Sequence, residues 1–249
     1  EIMPSLVGSE MCIRDRLSNR LQVIADLVPL DTACLADIGS DHAYLPIYLI
    51  QNNRVGKAIA GEVAPGPLQN SQKEVAQAGL SQVMEVRMGD GLSILQDEDP
   101  VDLITICGMG GNLITRILDQ GLDLGKLPAQ AKLILQANNG EPGLRKWLVD
   151  HHYEIDCELL VKDKGIIYSI ILASKAQEAF NYSQIDLDYG FFDHTKPPQL
   201  AIEKWQKEFD KWSKILAQVQ QSKGDQADRV KEVKEKVKQL EELLNHDQY

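Results

Sequence analysis

Cysteine pairs, long apolar runs and an excess of basic residues are all missing from this chain. Its four cysteines are scattered without a CxxC pair, so neither a disulfide framework nor a zinc site is indicated. No apolar run approaches the roughly 20 residues that cross a bilayer, and the N-terminus lacks the order of a secretory signal. The sequence therefore predicts a cytoplasmic protein with no metal and no membrane segment.

The charge balance also excludes a simple class of partner. The net charge of −11 argues against a general nucleic-acid binder, which would usually be basic. It leaves room for a local basic patch, because several lysines and arginines fall between residues 116 and 164. If they share a face RNA could dock there, although a solvated mixed surface is the commoner explanation.

The 249 residues are enough for a full α/β core and a second, smaller unit. Residues 1–16 fit nothing that follows, and we interpret them as a non-native or disordered segment. A catalytic domain is expected over residues 17–174. A polar connector containing Gly190, Pro197 and Pro198 then leads into a helical domain, so the remaining unit is residues 175–249.

Strand and helix patterns alternate through the first domain. Predicted strands are 33–38, 57–63, 83–88, 101–107 and 132–136. Predicted helices are 17–28, 45–52, 68–78, 112–119 and 144–151, and Pro65 to Pro67 are expected to form a rigid turn before the third. Residues 153–161 and 166–173 then form an antiparallel hairpin. This order favours a methyltransferase-type sheet, because a plain dinucleotide-binding fold would continue with further parallel units.

The stretch DIGSDHAYLP, residues 37–46, is the anchor of the predicted site. Gly39 lets the backbone approach a ligand closely, and the N–H groups that open the next helix face the same place. Asp37 would repel a pyrophosphate, whereas it suits a cationic ligand such as S-adenosylmethionine, whose amino group a carboxylate can bind. An ordinary strand-to-helix turn explains the decapeptide equally well.

Later strand ends supply further candidates. Glu62 lies at the spacing expected for a carboxylate that binds ribose hydroxyls. Asp90 could accept from an adenine amino group, or it could be a turn residue or helix cap. Met109, within the glycine-rich loop 108–111, could flank the ligand or fill a core gap. Asn138 could recognise a base edge, although Asn near Gly is also typical of turns.

Two heptad-like stretches, 202–219 and 230–244, predict two long helices. Residues 222–225 break the pattern, so the helices should fold back as an antiparallel, coiled-coil-like hairpin. Such a hairpin is either a solvated appendage or an arm that grips a large substrate.

Taken together, these motifs resemble the bacterial tRNA adenine-22 N1 methyltransferase family. The resemblance covers about residues 17–244 and rests on LSNRL at 17–21, DIGSDHAYLP, AGEV, GDGL, CGMGG, QAN, LR at 144–145 and the paired C-terminal helices. It implies a class I S-adenosylmethionine-dependent fold, tRNA as substrate and a helical arm that aids tRNA binding. Residues 1–16 have no counterpart in the family pattern.

The predicted site follows from these motifs and the resemblance. The predicted cofactor-binding residues are Asp37, Gly39, Ser40, Asp41, His42, Tyr44, Glu62, Val63, Asp90, Gly91, Gly108, Met109 and Gly110. The predicted substrate-binding residues are Arg20, Tyr44, Asn138 and Arg145. Asp41 and Asn138 are the predicted catalytic residues.

The expected chemistry is direct attack of adenine N1 on the methyl group, without a general base, because N1 is unprotonated at neutral pH. Asp41 would stabilise the cationic product, unless it only caps the next helix, and Asn138 would orient the base. No Asn-Pro-Pro-Tyr motif of exocyclic amine methylases is found, which agrees with ring-nitrogen chemistry. A nucleotide-dependent oxidoreductase and a non-catalytic RNA or protein adaptor remain the alternatives.

Overall fold

A computed structural model describes residues 17–178, 180–221 and 227–245. The predicted N-terminal segment 1–16 and the predicted helix break at 222–225 lie outside these ranges. The chain divides into two compact units between Asp188 and Tyr189, later than the boundary after residue 174 that the polar connector suggests.

The first unit contains one seven-stranded sheet. Its strands are β1 Cys34–Ile38, β2 Lys57–Glu62, β3 Met84–Met88, β4 Leu103–Met109, β5 Lys132–Ala137, β6 Tyr153–Asp163 and β7 Ile166–Lys175. The order is β3-β2-β1-β4-β5-β7-β6, with β7 antiparallel to both of its neighbours and the other pairs parallel. This mixed sheet confirms the predicted methyltransferase-type fold.

Helix α1 Asn19–Leu27 precedes the sheet and α6 Gln184–Tyr189 follows it. The helices between strands are α2 Tyr44–Gln51, α3 Pro65–Gln77, α4 Gly111–Asp123 and α5 Glu141–Asp150. The prediction of a rigid turn at Pro65 to Pro67 is wrong, because both prolines lie in the first turn of α3. A first-turn N–H has no partner within the helix, so a proline there removes no helical hydrogen bond.

The sheet places the candidate site by its strand order. All five residues of β1 are buried, as are nearly all of β2 and β5, which explains their continuous apolar sequence. Chain order reverses between β1 and β4, because β2 lies on one side of β1 and β4 on the other. Ligands of open α/β sheets bind outside the carboxyl ends of the strands at such a reversal.

The second unit contains α7 Gln199–Gln221 and α8 Ala227–Asn245, which pack on each other. Trp205 Nε1 donates to the Tyr189 carbonyl, and the Tyr189 hydroxyl donates to Gln239. Further along α7, Trp212 contacts Lys236, which lies earlier in α8, so the helices run antiparallel. None of the helices in the described ranges combines the length and apolar character needed to cross a membrane.

Candidate active site

Asp37 is a buried carboxylate at the carboxyl end of β1, with 4% of its surface exposed. It accepts hydrogen bonds from Ser40 Oγ at 2.5 Å and from Thr105 Oγ1 at 2.5 Å. Thr105 reaches it because β4 pairs with β1 in the register that sets these two residues side by side. Burial raises the pKa of Asp37, and the two hydroxyls oppose that rise.

The turn after Asp37 is strained. Gly39 has φ 71°, and three successive residues without glycine's freedom follow with positive φ: Asp41 at 42°, His42 at 68° and Ala43 at 59°. The left-handed conformation costs roughly 1–2 kcal/mol for each such residue, and strain of this kind clusters at functional sites. A Cβ on residue 39 would overlap the terminal methyl of Met109, so that flexible side chain would have to move, and the positive φ also favours glycine.

Asp41 points its carboxylate into solvent, with 90% of the side chain exposed. Helix α2 has its N-cap at Ala43, without a side-chain capping hydrogen bond, which contradicts the alternative that Asp41 caps this helix. His42 Nε2 lies 3.7 Å from Asp41 Oδ1. The His42 ring stacks on Tyr44 with centroids 5.3 Å apart, so these predicted site residues form one group, in which Asp41 is exposed and the two rings are half-buried.

Glu62 is the second buried carboxylate, at the end of β2 next to β1. Ser71 Oγ of α3 donates to Glu62 Oε1 at 3.2 Å. Burial raises the pKa of Glu62; the Ser71 bond and the backbone N–H of Asp41 lower it, whereas the negative charge of Asp37 raises it further. Asp37, the strained turn and Glu62 therefore lie together at one edge of the sheet.

Two apolar side chains are exposed at the same edge. Val63 is 68% exposed and directly follows β2, and Met88 is 58% exposed and ends β3. The two strands are neighbours, and Glu62 of β2 pairs with Met88. Asp90 is exposed and makes no side-chain capping bond to the short 3₁₀ helix Gly91–Ile94. Apolar faces beside an exposed carboxylate suit a flat base that carries an amino group.

Gly91 is buried, and its φ of 56° lies in the left-handed region. A Cβ at this position would lie 2.9 Å from Ile117 Cγ2. Packing and backbone conformation thus explain the glycine at this position, whether or not it contacts a ligand.

The loops after β4 and β5 are hydrogen-bonded to each other. The Asn138 N–H donates to the Met109 carbonyl at 2.7 Å, and the Gly111 N–H donates to the Asn139 carbonyl at 2.8 Å. A Cβ at residue 111 would lie 2.5 Å from the Gly140 carbonyl oxygen, so glycine is required for this close approach. The predicted Gly108 to Gly110 loop is therefore held by its neighbour.

Arg20 and Asn138, both predicted to bind substrate, are brought together from 118 positions apart. Arg20 Nη1 donates to Asn138 Oδ1 at 3.3 Å, and the guanidinium lies over the Tyr168 ring, 5.0 Å from its centroid. Tyr168 comes from β7, in the β6–β7 hairpin, which has no cofactor motif. The structure thus joins the N-terminal helix, the β5 loop and the hairpin at one place.

Arg145 does not lie on a substrate-facing surface. It is 2% exposed and makes a bidentate pair with Glu158, with Nη2 to Oε1 at 2.7 Å and Nε to Oε2 at 2.9 Å. Its Nη1 also donates to the Leu187 carbonyl at 2.9 Å. Because these partners engage the whole guanidinium, the structure contradicts the prediction that Arg145 binds substrate.

Sequence reasoning missed four residues of the site: Thr105, Ser71, Gln136 and Tyr168. Thr105 and Gln136 are polar residues in otherwise apolar strands, which is a usable signal once the strand order is known. Ser71 and Tyr168 carry no comparable signal, because only the packing of α3 and β7 brings them to the site. Among the described residues, no group of three or more His, Cys, Asp and Glu side chains could hold a metal ion.

Comparison with known proteins gives consistent results. The family described as tRNA (adenine(22)-N(1))-methyltransferase matches residues 35–242. The Bacillus subtilis (strain 168) protein of that name is 35% identical over 237 residues, covering 93% of this chain and 98% of its own. A Streptococcus pneumoniae structure in complex with S-adenosyl-L-methionine is 38% identical with a TM-score of 0.81, over 92% and 99% of the two chains. A Mycoplasma capricolum structure in complex with S-adenosyl-homocysteine is 27% identical with a TM-score of 0.81, over 92% and 98%.

Proposed function

Because the chain belongs to the tRNA (adenine(22)-N(1))-methyltransferase family, we propose that it transfers a methyl group from S-adenosylmethionine to N1 of adenine 22 in tRNA. The observation that carries the proposal is the pair of buried carboxylates, Asp37 and Glu62, at adjacent strand ends beside the strained turn. As tRNA is the substrate, we propose the cytoplasm as the place of action.

The residues of the site fit the cofactor. Asp37 is buried with two neutral hydroxyls as hydrogen-bond partners, so its charge suits a cationic ligand. Glu62 would accept from the ribose hydroxyls, Val63 and Met88 would flank the adenine, and Asp90 would accept from its amino group. When bound, S-adenosylmethionine supplies an electrophilic methyl group on a cationic sulfonium.

The protein's own part in the reaction is positioning and electrostatics. Adenine N1 holds an in-plane lone pair at neutral pH, so no side chain has to remove a proton before attack. The methylated base is cationic, and the exposed carboxylate of Asp41 would stabilise the positive charge as it develops. Tyr44 would stack on a base that has left the tRNA stack, and His42 would hold the Tyr44 ring.

We also propose that the helical unit, α7 and α8, helps to hold tRNA. Both helices carry exposed lysines, among them Lys207, Lys214, Lys231 and Lys234. Acidic residues lie between them, so binding would depend on the face that the lysines share and would weaken with salt.

The function is tested by methyl transfer from labelled S-adenosylmethionine to unmodified tRNA, followed by nucleoside analysis. We expect wild-type protein to form 1-methyladenosine at position 22. Asp41→Asn should lower kcat by about tenfold, because it removes charge that stabilises the base as it becomes cationic. The Kd for the cofactor, measured separately, shows whether Asp41 also binds the cofactor. Asp123→Asn, at the exposed end of α4, is the matched control and should behave as wild type.

The alternatives give different results in the same assay. Cofactor binding without any methylated nucleoside would support the non-catalytic adaptor. Binding of a nicotinamide nucleotide in place of S-adenosylmethionine would support the oxidoreductase. An unchanged kcat for Asp41→Asn would remove Asp41 from the mechanism and leave the methyltransferase assignment in place.

Cofactor affinity should fall on acidification within a range above the usual carboxyl pKa. Burial raises the pKa of Asp37 and of Glu62, so both protonate at a higher pH than exposed carboxyls. A protonated Asp37 has no negative charge to attract the cationic cofactor, so the Kd for the cofactor increases as pH decreases. For one coupled proton the increase is at most about tenfold per pH unit. Calorimetric titration from about pH 7.5 to about pH 5 measures this. A flat profile would show that neither carboxylate takes up a proton coupled to cofactor release within this pH range.

A further inference from the structure

Gln136 is fully buried at the end of β5 and connects the two loops that border the proposed methyl-transfer site. Its Oε1 accepts from the Gly108 N–H at 3.0 Å, and its Nε2 donates to Asn138 Oδ1 at 3.2 Å. Asn138 Nδ2 in turn donates to the Gly108 carbonyl at 2.7 Å. The two side-chain amides and the Gly108 peptide therefore form a closed ring of hydrogen bonds.

The orientation of both amides follows from the chemistry of their partners. A backbone N–H can only donate, so the Gln136 atom facing Gly108 N is the oxygen, and the NH₂ group faces Asn138. A backbone carbonyl can only accept, so the Asn138 atom facing Gly108 O is the NH₂ group. Arg20, which has donors only, bonds to the other Asn138 atom, and this independently identifies that atom as the oxygen.

This orientation decides what Asn138 can offer a ligand. A carbonyl oxygen has two lone pairs, and those of Asn138 Oδ1 are engaged by Gln136 and Arg20. The NH₂ group has two hydrogens, and Gly108 takes one of them. Because Asn138 is exposed, its second N–H is available, and the residue meets a ligand as a donor.

We propose that Gln136 is a positioning residue that holds the Asn138 amide with its NH₂ group towards the target base. The proposal rests on the proposed function, in which that base is adenine. The adenine amino group is itself a donor and N1 must keep its lone pair for attack, so Asn138 donates to another ring nitrogen of the base. Asp41, which only accepts, is left to face the amino group and the developing charge.

A double-mutant cycle at saturating S-adenosylmethionine tests whether Gln136 acts through Asn138. The variants are Gln136→Met, Asn138→Ala and the double variant, and the readout is the single-turnover rate of methyl transfer to unmodified tRNA. We expect each single variant to be about tenfold slower, and the double variant to be no slower than Asn138→Ala. Gln136→Met also removes the hydrogen bond from the Gly108 N–H. The Kd for S-adenosylmethionine is measured separately, to show whether that loss affects cofactor binding.

Asn138→Asp tests the donor directly and leaves Gln136 in place. The carboxylate keeps an oxygen for Gln136 and Arg20 but has no hydrogen for the base or for the Gly108 carbonyl, a bond that Asn138→Ala also loses, so its rate should be as low as that of Asn138→Ala. A wild-type rate for Asn138→Asp, or multiplicative losses in the cycle, would overturn the proposal. The proposed function is tested separately in the same assays, by the formation of 1-methyladenosine with the wild-type protein.

Discussion

Replacement of Asp37 by Asn raises the Kd for S-adenosylmethionine by about 10- to 150-fold, because a hydrogen bond to a charged group contributes roughly 1.5–3 kcal/mol. The amide keeps the shape of the carboxylate but offers no negative charge to the sulfonium or the ammonium group. Ser40 and Thr105 can rotate their hydroxyls to meet the amide, so the turn is preserved. Calorimetric titration of cofactor into wild-type and variant protein measures the change.

The same substitution should stabilise the ligand-free protein. Burial raises the pKa of Asp37, so the folded state binds the proton more tightly than the unfolded state. As pH rises above the ordinary carboxyl pKa, the ionised carboxylate therefore lowers the free energy of unfolding. Below that pKa the carboxyl is protonated in both states, and this loss of stability is absent. Asn carries no charge at any pH, so the variant should melt at a higher temperature than wild type near neutral pH.

Thr105→Val serves as the control for Asp37→Asn. It removes one hydroxyl donor from the carboxylate without removing the charge, so it should lower stability and leave cofactor binding largely intact. If Asp37→Asn lost both stability and binding, the carboxylate would be a structural element of the turn. If it lost neither, the cationic part of the cofactor would bind elsewhere.

The parts of the site that could be predicted are those that depend on local sequence. Asp37 and Glu62 end apolar strands, and parallel strands place such ends at one edge of a sheet whatever the order of the strands. Glycine in a turn after a strand is an equally local signal, and Gly39 has the expected positive φ. The motifs quoted for the family resemblance belong to the same class.

The remaining features depend on which elements pack together. Thr105 reaches Asp37 only because β4 is the neighbour of β1, and Arg20 reaches Asn138 only because α1 packs near the β5 loop. The left-handed run at Asp41, His42 and Ala43 has no sequence signature, since non-glycine residues adopt that conformation only in a few per cent of cases, even though Asp and His do so more often than most. Tertiary contacts impose it, and local propensity gives no indication of it.

Arg145 also depends on tertiary packing: the motifs of the family resemblance predict that it binds substrate, and it is instead a core residue. Arg145→Met should lower the free energy of unfolding by about 3–5 kcal/mol, since it leaves the buried Glu158 carboxylate without its guanidinium partner. The loss also leaves the Leu187 carbonyl without the Nη1 donor. Urea denaturation of wild-type and variant protein measures the difference.

The double variant Arg145→Met/Glu158→Leu separates lost charge pairing from lost packing. Replacement of a whole buried ion pair by apolar side chains is often neutral, so we expect this variant to recover most of the stability, although Ser169 loses its carboxylate partner. Folded double variant should then bind tRNA with wild-type affinity, because the guanidinium faces the core. Weakened tRNA binding with unchanged stability would reverse this conclusion and return Arg145 to the substrate surface.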